Sequence, residues 1–173
     1  MDLREEALRE HSKRQVKKMA AWIGNNEDRF RQFLLLFLYD EYRVVQRISW
    51  VLSEIAESHP KLVEKNMGRI IKRLDDPDIH TAAKRNVIRV LQFLNIPKKY
   101  HARVFDHCLK FMGDPKKTIA VRVFSMTVAA KIAELYPELA KEVIECINVS
   151  MKSSSAGLCS RSKKELSKLK KLI

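Results

Sequence analysis

The sequence predicts an all-α solenoid in which helix pairs stack one after another, and three observations point to it. First, the segment 55–62 (IAESHPKL) matches 132–139 (IAELYPEL) at five of eight positions, 77 residues further along. Second, acidic turns recur at Asp40, Asp76 and Asp114, with gaps of 36 and 38 residues. Third, no stretch shows a competing strand pattern. A period near 40 residues with two helices per unit is typical of helical solenoids, whose units stack to bury their apolar faces.

The apolar periodicity predicts about nine helices, a leading one followed by four antiparallel pairs. The leading helix covers residues 2–23 and ends at Gly24. Asn26 caps the next helix, whose first turn holds two acidic residues that suit a helix N-terminus. Pro60 opens a later helix, where its missing amide hydrogen costs nothing. The other helices are predicted at 41–57, 61–74, 79–94, 98–112, 116–135, 137–151 and 158–172.

We expect a single domain over residues 1–173. Within it, 1–24 forms the leading helix, 28–151 the helical repeats, and 152–173 a basic turn and capping helix. The turn is the segment 153–157 (SSSAG). The final helix has only a thin apolar stripe, which suits a terminal repeat with a polar outer side.

Equivalent positions in the second helix of each pair are predicted to form the core, because they repeat at the solenoid period. These residues are Ile48, Leu52, Val87, Leu91, Val128 and Ile132.

The charge of the chain is strongly basic. There are 34 Lys and Arg against 21 Asp and Glu, a net charge of +13. Residues 152–173 hold seven basic residues and one acid, Glu165. An excess of this size favours an anionic partner, whereas its concentration at the end of the chain favours a solvated terminal helix. The sequence leaves both interpretations open.

Cysteine usage and the termini predict a cytoplasmic protein. Cys108, Cys146 and Cys159 are widely spaced and odd in number, which is typical of reduced cysteines. The charged N-terminus lacks the apolar region of a signal peptide. The longest apolar run, 33–39, is too short to cross a bilayer, so no membrane association is expected.

The second repeat resembles a HEAT repeat. Its matching residues are Pro60, Leu62, Leu74, Asp76, Arg85 and Val87. The third repeat keeps Asp114, Pro115 and Arg122, and the first keeps Asp40 and Arg47. Armadillo-like is nearly as good a name for the pattern. The resemblance implies a right-handed α-α superhelix that serves as a scaffold for proteins or, in some members, nucleic acids, and it implies no reaction.

The resemblance also implies that the second helix of each pair lines a concave face. Residues on these helices that point away from the core are therefore the predicted binding residues. They are Arg43, Arg47, Trp50, Asn86, Arg89, Phe93, Phe124 and Lys131. Trp, Phe and Arg are typical of interface hot spots, and Arg beside aromatics also suits phosphates and stacked bases. The alternative is that Phe93 and Phe124 pack between repeats and Trp50 covers a helix end.

No catalytic, cofactor or metal motif is visible. The histidines lack metal-ligand spacing, and four scattered glycines form no phosphate loop. We therefore expect a non-enzymatic scaffold that binds a protein or peptide through the concave face and needs no cofactor. The alternative is a basic nucleic-acid-binding solenoid that resembles HEAT-like DNA-alkylation-repair proteins. Those enzymes need an acidic catalytic residue in a basic cleft, and Glu54 is the only acid on the predicted stripe.

Overall fold

The structure is a computed structural model that describes residues 1–151 and 155–173, and it divides into two compact units, Met1–Ile96 and Pro97–Ile173. The described residues form eleven α-helices and three short 3-10 helices, with no strand. This confirms the all-α class, with two more α-helices than the predicted count of about nine. The single-domain organisation stays a prediction.

The first unit is built around one long helix. Its helices are α1 (Leu3–Arg9), α2 (Lys13–Ile23), α3 (Glu27–Tyr39), α4 (Tyr42–Ser58), α5 (Pro60–Lys65), α6 (Met67–Lys72), a 3-10 helix (Arg73–Asp75) and α7 (Thr81–Leu91). α4 contacts α1, α2, α3, α5 and α7. It is therefore the element on which the apolar faces of the other helices converge.

The second unit consists of two adjoining helix pairs. Its elements are a 3-10 helix (Lys98–Tyr100), α8 (His101–Gly113), α9 (Ile119–Ala133), a 3-10 helix (Pro137–Leu139), α10 (Ala140–Met151) and α11 (Ala156–Leu169). α9 packs against α8, α10 and α11, and α8 also contacts α10. Each pair thus buries its apolar side against the other, as stacked repeats require.

The predicted core is confirmed. Ile48, Leu52, Val87, Leu91, Val128 and Ile132 all have exposed fractions of 2% or less. In the first unit this core continues through three phenylalanines of α3, Phe30, Phe33 and Phe37, each 1% exposed or less. The apolar periodicity of the sequence therefore identified core positions on α4, α7 and α9 correctly.

The prediction of one continuous leading helix was wrong. α1 ends at Arg9, and the next residue, Glu10, is extended with φ −150°. Asp2 caps α1 by accepting from the amides of Arg4 and Glu5, and Ser12 caps α2 by accepting from the amide of Gln15 at 3.1 Å. A serine that bonds its own downstream amide offers the backbone an alternative to continued helix, so the chain restarts there.

The predicted helix at 61–74 is also interrupted, at Asn66. This residue has φ −108° and ψ 9°, and its side-chain amide donates to the Leu62 carbonyl at 3.0 Å. This hydrogen bond occupies a carbonyl of the preceding turn, so the helix is divided at Asn66 into α5 and α6. The starts of three other predicted helices shift because a capping side chain precedes each: His80 before α7, Thr118 before α9 and Ser155 before α11.

Two of the three acidic turns, those at Asp76 and Asp114, have a shared geometry. Asp76 accepts from the amide of Asp78 at 2.9 Å, and Asp114 accepts from the amide of Lys116 at 2.9 Å. An aspartate that bonds the amide two residues on mimics a backbone turn, which explains why this residue type recurs between paired helices.

The arginine of the third repeat is a buried structural residue. Arg122 is 5% exposed, and its guanidinium donates to the Met112 carbonyl at 3.2 Å and the Ser150 carbonyl at 3.3 Å. These carbonyls lie in the last turns of α8 and α10. A cation placed at two helix C-termini satisfies their unpaired carbonyls and complements their dipoles.

The C-terminal helix packs against its unit rather than standing in solvent. Leu158, Ser162, Glu165 and Leu169 of α11 are buried. Of the predicted turn at 153–157, residues 153 and 154 lie outside the described residues, as does Lys152.

Candidate functional site

One side of α4 is left uncovered by the helices that surround it. Nine of its residues are buried, among them Val44, Ile48 and Leu52. The remaining side chains recur every three or four residues, which keeps them on one side of the helix. They include Arg43, Gln46, Trp50, Glu54 and Glu57.

α7 lies beside α4, and two side-chain pairs set their register. Ser53 donates to the Asn86 side-chain oxygen at 2.9 Å, and Arg89 donates to Glu57 at 3.0 Å. The second pair lies closer to the C-terminus than the first on both helices. α4 and α7 therefore run in the same direction.

The uncovered side of α7 therefore continues that of α4. It presents Arg85, Arg89 and, just after the helix, Phe93. We call the combined surface the α4–α7 face, which consists of Arg43, Gln46, Trp50, Glu54, Glu57, Arg85, Arg89 and Phe93.

Four of the predicted binding residues lie on the α4–α7 face. Arg43 is exposed, Trp50 and Arg89 are partly exposed, and Phe93 is 47% exposed. The exposure of Phe93 is notable because phenylalanine is usually buried in soluble proteins. The alternative in which this ring packs inside the repeats does not fit an exposure of that size.

Arg47 has a different role from the predicted one. Its guanidinium donates to the carbonyls of Ala7 and Leu8, each at 3.2 Å. Both carbonyls belong to the C-terminal end of α1, where backbone acceptors lack partners within the helix. Arg47 thus holds α1 against α4, and its charge serves to stabilise this contact between the two helices.

Asn86 was predicted to be exposed on the binding face, but the structure shows that it is buried. Its exposed fraction is 1%, and its side-chain amide donates to the Ala82 carbonyl at 2.8 Å while its oxygen accepts from Ser53. The side chain points into the α4–α7 contact, because a buried hydroxyl on the neighbouring helix needs a partner there.

Phe124 and Lys131 belong to the second unit and are both partly exposed on α9. The same side of α9 carries Val123 and Thr127. The Thr127 hydroxyl donates to a carboxylate oxygen of Glu165 at 3.0 Å, and the Arg161 guanidinium lies 3.9 Å from the same oxygen. This surface is more apolar than the α4–α7 face.

The α4–α7 face carries both signs of charge. Its positive charges are Arg43, Arg85 and Arg89, and its negative charges are Glu54 and Glu57. Arg89 forms an ion pair with Glu57. By contrast, α11 and the residues after it expose lysines with few acids among them. These lysines are Lys163, Lys164, Lys168, Lys170 and Lys171. The basic excess of the second unit is therefore concentrated at its C-terminal helix.

The sequence prediction missed Gln46, Glu57 and Arg85 as members of the face. A signal for each was present, because Gln46 precedes Trp50 by four residues, Glu57 follows it by seven, and Arg85 precedes Arg89 by four. These are the spacings that keep residues on one side of a helix.

The described residues add neither a metal site nor a membrane-spanning helix to this face. No three histidine, cysteine, aspartate or glutamate residues in the described ranges are grouped so that they could hold a metal ion. None of the described helices combines the length and the apolar character needed to span a membrane.

Comparison with known proteins identifies the repeat. A family model described as a HEAT repeat domain matches residues 3–169. No curated protein and no solved structure matches the chain.

Proposed function

The chain belongs to the HEAT repeat domain family, and from this premise we propose that it is a non-enzymatic interaction module whose α4–α7 face binds a protein or peptide partner. A helical-repeat scaffold presents residues from successive helices on one continuous surface. The α4–α7 face has this construction, with contributions from two helices that run in the same direction.

The observation that carries the proposal is the exposure of Trp50 and Phe93 beside charges of both signs. A few residues carry most of the binding energy at a protein interface, and aromatic and arginine side chains are enriched at such positions. Polar groups around such anchors form the rim that excludes water and selects the partner. The exposed ring of Phe93 and the neighbouring Arg89–Glu57 pair combine these two elements.

The same surface argues against a phosphate backbone as its ligand. Nucleic-acid affinity rests on unpaired cations that replace the counterions of successive phosphates. On the α4–α7 face, Arg89 is paired with Glu57, and Glu54 adds a second negative charge. A protein partner with its own mixed charges fits this distribution better.

We also propose that the protein works in the cytoplasm. Cys108 is buried, Cys146 and Cys159 are partly exposed, and all three are free thiols. Free thiols are typical of reducing compartments. Burial raises the pKa of the Cys108 thiol far above its ordinary value, which keeps this group protonated and unreactive.

Affinity capture from cells of the source organism tests the proposed function. The immobilised full chain is compared with Trp50→Ala/Phe93→Ala, and bound proteins are quantified by mass spectrometry. We expect the double variant to lose its specific partner by more than about tenfold, because each anchor contributes at least about 1–2 kcal/mol. Tyr39→Ala is the matched control, since Tyr39 is 73% exposed and lies outside the face.

Thermal melting of each variant separates lost binding from lost folding. Capture of the same partner at equal yield by the double variant and the wild-type chain would overturn the assignment of the α4–α7 face.

A further inference from the structure

The second unit has a groove of its own, lined by none of the residues of the α4–α7 face. It runs between α8 and residues 136–142, which lead into α10, and its cavity volume is about 490 Å³. We call it the α8–α10 groove. Its α8 lining extends from His101 to Leu109, a distance of about 12 Å along the helix axis. At one end the His101 ring nitrogen lies 3.1 Å from the Tyr136 hydroxyl, and the two rings meet edge to face.

The floor of the groove is apolar. Phe105 and Ile132 are 6% and 2% exposed, and Leu109 and Leu139 are partly exposed along the walls. A cavity of this size and lining accommodates one or two large apolar side chains. Water held above such a floor gains little from it, so an apolar group that displaces the water binds favourably.

The rim of the groove has the opposite charge from the rest of the unit. Residues 97–173 contain 16 basic and 7 acidic residues. Three of those acids, Asp106, Glu138 and Glu142, line the groove, with Lys98 as the one lysine or arginine there. None of the three acids forms an ion pair with any described residue of the unit. In a chain with net charge +13, this rim is a local region of negative charge.

We propose that the α8–α10 groove binds a peptide segment of a partner protein, in which an apolar anchor side chain is flanked by lysine or arginine. The apolar floor receives the anchor, and the carboxylates of Asp106, Glu138 and Glu142 pair with the flanking cations. A nucleic acid or an acidic peptide would bring negative charge to this rim and be repelled. The 12 Å α8 lining, about eight residues at 1.5 Å each, matches roughly two turns of a bound helix.

Selection from a phage-displayed library of random peptides tests the proposal with the full chain as bait. The groove is altered in two independent ways. Glu138→Lys/Glu142→Lys reverses the rim charge, and Ala102→Trp places a bulky ring in the groove from an exposed position on α8. The matched control is Glu134→Lys/Glu145→Lys, which makes the same charge change at exposed positions outside the lining.

We expect enrichment of peptides with an apolar anchor and flanking Lys or Arg. Both groove variants should weaken the selected peptides by about tenfold or more, whereas the control pair should change their affinity by about twofold at most. Enrichment of acidic or uncharged peptides, no enrichment, or binding that is indifferent to both groove variants would overturn the proposal.

Self-association gives a separate outcome. If the full chain dimerises in sedimentation experiments and Ala102→Trp abolishes the dimer, a second copy occupies the groove and the proposed partner segment is excluded. Thermal melting shows whether each variant is folded. The charge-reversed pair keeps the test decisive if Ala102→Trp fails to fold, because Glu138 and Glu142 are both exposed. The Trp50→Ala/Phe93→Ala variant should bind the selected peptides normally, so this result is independent of the function proposed for the α4–α7 face.

Discussion

Ser53 donates a hydrogen bond of 2.9 Å to the side-chain oxygen of Asn86, and both residues are buried where α4 meets α7. We expect Asn86→Ala to lower the free energy of unfolding by about 1–3 kcal/mol, because the buried Ser53 hydroxyl loses this acceptor. A double-mutant cycle with Ser53→Ala should give a coupling energy of about 1 kcal/mol between the two positions. Urea unfolding of the two single variants and the double variant measures it.

Gln46→Ala is the control for this cycle, since Gln46 is exposed on the same helix. It should change stability by about 0.5 kcal/mol at most. Strictly additive effects of the Ser53 and Asn86 substitutions would show that the hydrogen bond does not stabilise the α4–α7 contact.

Arg122 should be far more important for stability than an exposed arginine. Arg122→Met removes the donor that the Met112 and Ser150 carbonyls share, and we expect a loss of about 2–3 kcal/mol. Arg43→Met, the matched exposed substitution, should stay within about 0.5 kcal/mol. Chemical denaturation followed by circular dichroism compares the two. Equal midpoints for both variants would rule out the capping role of Arg122.

Glu6 should make the first unit sensitive to acid. Hydrogen bonds from Lys18 and Gln15 hold the pKa of this carboxyl below its ordinary value of 4.5. A carboxyl whose pKa is lowered by folding stabilises the folded state above pH 4.5, and this contribution is lost as the pH falls through 4.5 toward the folded-state value. Glu6→Gln should therefore reduce stability at neutral pH and flatten the decline below pH 4.5.

Melting temperatures between neutral pH and acid measure this effect. Glu5→Gln is the neighbouring control, because Glu5 is exposed. An acid decline that is identical in the wild type and Glu6→Gln would contradict the prediction.

Binding to duplex DNA, where it is measurable, should depend on the C-terminal lysines and not on the α4–α7 face. Neutralising Lys163, Lys164, Lys170 and Lys171 to Gln should flatten the dependence of log affinity on log salt by about 0.9 for each phosphate that the protein no longer neutralises. Arg43→Gln/Arg85→Gln/Arg89→Gln is the comparison on the α4–α7 face and should leave duplex binding nearly unchanged. Fluorescence anisotropy at several salt concentrations measures both slopes.

Neutralisation is a cleaner test than removing residues 152–173. Leu158 and Leu169 of α11 are buried in the second unit, so truncation would also expose the apolar sides of α9 and α10. Duplex binding that disappears in the arginine variant and persists in the lysine variant would favour the nucleic-acid function instead.

The sequence by itself determined the helical class, the repeat and the core positions on α4, α7 and α9. The helical class and the core positions depend on the spacing of apolar residues along the chain, which a helix converts directly into a face. The repeat was visible in the match between segments 55–62 and 132–139. The turns at Asp76 and Asp114 were also predictable, because an aspartate that bonds the amide two residues on needs only its immediate neighbours. The breaks at Ser12 and Asn66 were missed because a side chain there competes with the helix backbone, and apolar spacing does not record that competition.

Only the tertiary structure decided which outward-facing polar residues remain available to a partner. Arg47 and Arg43 lie on one side of α4 and look alike in the sequence, yet Arg47 reaches the carbonyl of Leu8, 39 residues earlier. Asn86 likewise meets Ser53 across 33 residues, so it is buried where helical spacing predicted exposure. Such partners depend on how neighbouring helices align, and that alignment results from packing of the whole unit rather than from the periodicity of any one helix.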